Sequence, residues 1–249
     1  HLAFRADRGG VPDVDEAAAL VGPRTRAIVL VTPNNPTGAV YPAALIEAFY
    51  ELARSRQLAL VLDETYKDFL DPPAPAHGLF RRPDWQDTLV QLYSFSKAYS
   101  LTGYRVGSLI AGAAMLAAVT KIMDTVSICA SRIGQDAALF GLRELSDWRE
   151  DKRLMIAARV AALKRAFGRN DLAYRLVSAG AFFAYVRHPF ADQGSDRVAR
   201  RLAEQENLLC LPGTMFGRDQ EDYLRFAFAN VPSQAMEELV ARLVASQEG

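Results

Sequence analysis

The chain has 249 residues, 50% hydrophobic and 23% charged. That is enough apolar surface for one large domain or two smaller ones, and too much for a disordered segment. Its 29 basic and 29 acidic residues cancel, which argues against nucleic-acid binding, and no apolar run reaches the roughly 20 residues of a membrane span.

Residues 26–33 are a continuous apolar run ending at turn formers, the pattern of a buried strand. Asn34-Asn35-Pro36-Thr37-Gly38 is a dense turn signal. A helix is predicted over 42–56, with Leu45, Ile46, Phe49 and Leu52 on one face and Pro42 in its first turn. Strands are predicted at 58–62, ending in Asp63-Glu64-Thr65-Tyr66, at 88–93 and at 105–111, with a Pro-rich loop over 71–76. The stretch 113–167 reads as helical with a break near Ser146. Strands at 174–177 and 181–186, a helix at 196–207, strands at 208–211 and 223–229 and a helix at 232–246 complete the chain.

This order predicts an α/β fold, a mainly parallel sheet covered by helices, followed by a smaller α+β domain, divided as 1–145 and 146–249. Right-handed crossovers then bring the polar clusters after Val31, Leu62 and Tyr93 to one sheet edge, where a single site is expected. Cys129 and Cys210, in no paired spacing, read as buried free thiols of a reducing compartment. His1, His77 and His188 lack ligand spacing, so no metal is expected. No basic-then-apolar leader is found, and a cytoplasmic location is the expectation.

Only five of the 29 basic residues are lysines, and four of them have charged neighbours. Lys97 is the single charged residue between Thr88 and Tyr104. A lysine alone in apolar, small-residue surroundings at a strand end is expected to be desolvated, which frees its amine as a nucleophile, unless it snorkels to water. Arg225 stands alone in the apolar run Tyr223-Leu224-Arg225-Phe226-Ala227-Phe228-Ala229. It is either an edge-strand arginine facing water or a buried guanidinium needing an anionic partner.

Ser94-Phe95-Ser96-Lys97, followed by Thr102-Gly103-Tyr104-Arg105-Val106-Gly107, resembles the lysine segment of the pyridoxal-phosphate-dependent aminotransferases of fold type I, classes I and II. Asn34 to Gly38 and Asp63 to Tyr66 match that family in order and spacing. The resemblance covers essentially the whole chain, most securely residues 26–110. It implies pyridoxal 5′-phosphate as cofactor, with Lys97 as the amine that holds it and moves the substrate proton. It assigns Asp63 to the pyridine nitrogen, Asn35 and Tyr66 to the phenolic oxygen, Thr65 to one ring face, and Ser94, Ser96 and Arg105 to the phosphate. Arg225, with Asn35, matches the substrate-carboxylate site, since a guanidinium meets a carboxylate through two parallel bonds. Read from the residues alone, Asp63 is equally a cap or turn residue, Asn35 a turn former, Tyr66 a core aromatic and Arg105 a surface arginine.

The reaction implied is transfer of an amino group between an amino acid and a 2-oxo acid. The alternatives are a carbon–sulfur lyase on the same cofactor, or an effector-sensing domain of a transcription regulator. A homodimer is implied for the full-length protein. No second arginine is placed for a dicarboxylate, so neutral or aromatic amino acids are expected. The Asn-Pro-Thr-Gly turn arrives early, at residue 35, and no Gly-rich phosphate loop precedes it. We therefore expect an N-terminally truncated piece that alone holds the cofactor weakly or not at all.

Overall fold

The computed structural model describes residues 2–71, 73 and 76–248. His1, and residues 72, 74 and 75 of the loop expected over 71–76, lie outside the described residues. Helix α1 (Val14–Leu20) begins where the Asp13 carboxylate accepts from the Asp15 and Glu16 N–H groups. It has no sequence counterpart above, because seven residues with three consecutive alanines show little apolar stripe. Strand β1 (Ala27–Val31), helix α2 (Ala43–Ser55) and strand β2 (Ala59–Asp63) follow as a strand–helix–strand unit with its two strands parallel. Strand β3 (Leu89–Ser94) runs straight into a single helical turn, α3 (Phe95–Ala98), and strand β4 (Gly107–Ile110) returns beside it.

The first sheet has the order β1-β2-β3-β4, with the first three strands parallel and β4 antiparallel to β3. Strand β4 starts two residues later than expected because Arg105 is left-handed, φ 52°, and closes a turn instead. The register pairs Val31 with Asp63 and Asp63 with Leu92, so the three carboxyl ends lie level. Leu30, Leu60, Leu62 and Leu89 share one core with Ile46, Phe49, Tyr50 and Ala53 of α2. Side chains alternate along a strand, so this leaves the other face of β1 and β2 to their odd-numbered residues, and Val29 is 63% exposed.

The long helical stretch is three helices: α4 (Ala113–Val126), α5 (Arg132–Glu144) and α6 (Ser146–Ala166). The break near Ser146 is where it was expected. A second break at 127–131 was not, and there Ile128 takes φ 62°. Cys129 sits in that break and is exposed, contrary to the expectation of two buried thiols; Cys210 is buried, and burial pushes its thiol up to about 12. No residue of α4 is fully buried, although most of its side chains are apolar.

The second sheet comprises β5 (Arg175–Gly180), β6 (Phe183–Arg187), β7 (Leu211–Pro212) and β8 (Tyr223–Ala227), antiparallel throughout in the order β5-β6-β8-β7. Helices α7 (Ser195–Glu206) and α8 (Ala235–Ala245) pack on it with α6, around Leu163, Val198, Leu202, Leu224, Met236, Val240 and Leu243. The strand expected at 208–211 contracts to two residues. Asn207 is left-handed and the Leu208 N–H donates to the Leu202 carbonyl, so the preceding residues cap α7. Among the described residues, no helix is long and apolar enough to cross a membrane.

Tyr41 follows the turn after β1 and is 8% exposed; burial pushes its phenol up to about 12, against a hydrogen bond with Asn34. The unfolded chain ionises first, near pH 10. Stability from this group is therefore complete below about pH 10 and is lost as pH rises towards 12, an effect of about 2–3 kcal/mol. Denaturation midpoints followed across this range should fall, and Tyr41→Phe should flatten the fall.

Candidate active site

The turn after β1 is built by Asn34. Its Oδ1 accepts from the Thr37 N–H (3.2 Å) and hydroxyl (2.9 Å), and its Nδ2 donates to the Val31 carbonyl at 3.3 Å. Gly38 closes the turn at φ 71°, and a Cβ there would lie 2.5 Å from the Phe183 oxygen and 2.6 Å from the Gly180 nitrogen. The turn thus abuts the second sheet directly, and Ser178 Oγ donates to the Thr37 carbonyl at 2.6 Å. Asn35 projects from it, and its Oδ1 accepts a 2.9 Å hydrogen bond from Nη1 of Arg225.

At the end of β2, Asp63 Oδ1 accepts from the Thr65 N–H (3.0 Å) and hydroxyl (2.7 Å). Thr65 is therefore committed to orienting this carboxylate. Tyr66 is buried edge-on against Phe182 and Phe183, at 5.4 and 5.3 Å between centroids. Burial, and then the Asp63 charge, push its phenol above the ordinary value; Arg225 and a hydrogen bond with Asn35 act against this. Glu64 points away into the core, where it accepts from Gln91 and lies 3.5 Å from His77 Nε2. The Leu79 N–H donates to His77 Nδ1, which places the proton of neutral His77 on Nε2, towards Glu64. Burial raises and these two partners lower the Glu64 carboxyl, which ends below its ordinary value.

At the end of β3, Ser94 caps α3, its Oγ accepting from the Ser96 N–H at 3.2 Å. Lys97 lies on this turn, half-buried, and its ammonium has no hydrogen-bond or ion-pair partner among the described residues. The Ser96 carbonyl accepts from the Thr102 hydroxyl at 2.9 Å, and exposed Arg105 donates to the Thr102 carbonyl at 3.0 Å. Ser94, at the end of the strand neighbouring Asp63, is thus grouped with Ser96 and Lys97 on α3 and with Arg105 at the close of the following turn. Asn35, Asp63, Tyr66 and Arg225 form another, joined by hydrogen bonds and charge. No side-chain contact among the described residues joins the Lys97 ammonium to Asp63 or Tyr66.

Arg225 stands on β8, an interior strand between β6 and β7, which settles against the edge-strand alternative. Its guanidinium lies 5.0 Å from the ring centroids of both Phe183 and Phe216, and burial pulls its pKa below the ordinary value against the influence of Tyr66. Neither phenylalanine stands out in the sequence reading. The available signal was Phe216 in a turn flanked by Gly213 and Gly217, an aromatic with no helix or strand stripe to explain it.

The family described as aminotransferase class I and II matches residues 4–243. The chain belongs to this family. The class I and II match takes in every residue of both groups. Relatives include the LL-diaminopimelate aminotransferase of Nitratidesulfovibrio vulgaris (strain DSM 19637 / Miyazaki F), 26% identical over 94% of this chain and 60% of its own length. The aspartate aminotransferase of Pyrococcus horikoshii is likewise 26% identical, over 95% of this chain and 61% of its own. A double mutant of Thermus thermophilus aspartate aminotransferase superposes with a TM-score of 0.86 at 26% identity, covering 98% of this chain and 63% of that structure. This class I and II chain therefore spans about three fifths of the length of the curated relatives it matches.

Proposed function

We propose that the protein carrying this chain is a pyridoxal-phosphate-dependent aminotransferase acting on an amino acid and a 2-oxo acid. The observation that supports this most is the Asn35–Arg225 hydrogen bond, which brings the Asn-Pro-Thr-Gly turn and the arginine strand into contact. The side chains present suit the cofactor. Asp63 Oδ2 is free of partners among the described residues because Thr65 occupies Oδ1, so one carboxylate oxygen remains for a ring nitrogen. A phenol, an amide, an amine, two hydroxyls and a guanidinium supply the remaining chemistry.

When bound, pyridoxal 5′-phosphate supplies an electron sink conjugated to the substrate α-carbon. Asp63 would hold a proton on the pyridine nitrogen. Arginine only donates, so its bond fixes the Asn35 amide with Oδ1 towards Arg225 and leaves Nδ2 to donate, beside the Tyr66 hydroxyl, to the phenolic oxygen. Ser94, Ser96 and Arg105 hold the phosphate. Nζ of Lys97 would hold the cofactor and would carry the proton taken from and returned to the substrate α-carbon. Arg225 orients the substrate carboxylate. In this reading residues 1–145 carry the cofactor side and 146–249 the carboxylate side, in a cytoplasmic homodimer.

The test is the product of the complete open reading frame, loaded with pyridoxal 5′-phosphate and given L-alanine, L-aspartate or L-phenylalanine with 2-oxoglutarate. Amino transfer with at least one donor is expected. Release of thiol and pyruvate from a sulfur amino acid, without transfer, would show the eliminating reaction instead.

A further inference from the structure

The centre of the Arg225 guanidinium lies over two aromatic rings, those of Phe183 and Phe216, 5.0 Å from each ring centroid. A cation over a ring face is attracted by the ring quadrupole, and more strongly when water is excluded. Exclusion is visible at Nε, which is buried with no hydrogen-bond partner among the described residues. Nη1 gives one hydrogen to Asn35. That leaves the second Nη1 hydrogen and Nη2 as the open edge of the group. Phe183 belongs to the core and also packs on Tyr66, whereas Phe216 is half-buried at the end of the 213–215 turn.

We propose that Phe216, together with Phe183, is a positioning residue that clamps the Arg225 guanidinium so that it meets a substrate carboxylate end-on, through Nη1 and Nη2. This rests on the reading of Arg225 as the carboxylate site. An unclamped arginine swings through many rotamers and loses that orientation entropy when an anion binds; the clamp sets the plane beforehand. Because the contact is to the π face, tyrosine is an adequate substitute for Phe216 and leucine, of similar apolar bulk, is not.

Succinate and 3-phenylpropionate, a dicarboxylate and a monocarboxylate, serve as probes. Their Kd values are measured by calorimetry on the cofactor-free product of the complete open reading frame, for wild type, Phe216→Leu, Phe216→Tyr and Arg225→Lys. In the loaded enzyme, KM and kcat are measured for L-phenylalanine and for 2-phenylethylamine, which lacks the carboxylate. Phe216→Leu is expected to weaken the tighter probe about 5- to 30-fold, in line with a desolvated cation–π contact. It should raise KM for L-phenylalanine by a similar factor, leave kcat nearly unchanged and leave 2-phenylethylamine unaffected. Phe216→Tyr should stay close to wild type. If Arg225→Lys weakens binding but Phe216→Leu does not, or if Phe216→Tyr is as weak as Phe216→Leu, the clamp is refuted while the role of Arg225 stands. If Arg225→Lys binds both probes as wild type does, the carboxylate reading itself fails.

Discussion

Lys97→Ala is expected to abolish reducible attachment of pyridoxal 5′-phosphate and to lower kcat for amino transfer by about 10²- to 10⁴-fold or more, the range for loss of one proton-transferring residue. The size of the effect follows from the absence of a substitute. Lys67 lies 5.2 Å from the Tyr93 ring and Lys152 5.2 Å from the Trp148 ring, each occupied with an aromatic of its own. Lys121 and Lys164 are exposed on α4 and α6. Lys97 follows the carboxyl end of β3, has no hydrogen-bond or ion-pair partner among the described residues, and lies beside the strand that carries Asp63. Borohydride reduction followed by peptide mass mapping should find the cofactor on Lys97 in wild type and on no lysine in the variant. Equal kcat for the two proteins would remove Lys97 from the chemistry.

The second large effect is expected on stability, from Gly38→Ala. The backbone is left-handed there, which costs an alanine about 1–2 kcal/mol. The added methyl would also meet two backbone atoms of the second sheet well inside contact distance. Backbone has little room to yield, so overpacking adds about 1–3 kcal/mol. A total loss of about 2–5 kcal/mol should appear as a lower urea midpoint. The control is Gly22→Ala, where nothing lies within 4 Å of the new methyl, and a change within about 0.5 kcal/mol is expected. A Gly38→Ala protein as stable as that control would mean the turn does not press on the second sheet as described.

Strands β1, β2 and β3 were legible because parallel strands buried in a layered fold read as unbroken apolar runs. The turn at 34–38 was legible because its residues are turn formers for local reasons, as the Asn34–Thr37 bonds bear out. Errors came where a local signal yielded to a neighbour. Leu208 looks like the start of a strand, yet its N–H is taken by the end of α7. Arg105 and Ile128 adopt left-handed backbone that nothing in their chemistry favours. Of the site, the sequence made each residue type visible but not its company. A lone arginine in an apolar strand was conspicuous, whereas Phe183 and Phe216, whose rings lie against it, belong to segments 42 and 9 residues away that only the fold brings together.

Asn35 and Arg225 are 190 residues apart in sequence. Confining a chain loop of that length costs about 5 kcal/mol in configurational entropy, several times the net worth of one hydrogen bond. The bond therefore cannot draw the two sheets together; it registers that other contacts have already docked them. On the ribosome the consequence is one of timing. The segment carrying Asn35, Asp63 and Lys97 emerges first, and the strand with Arg225 follows only after well over a hundred further residues. Through that interval the nascent chain carries Asn35, Asp63 and Lys97 without the strand that we propose to bind the carboxylate.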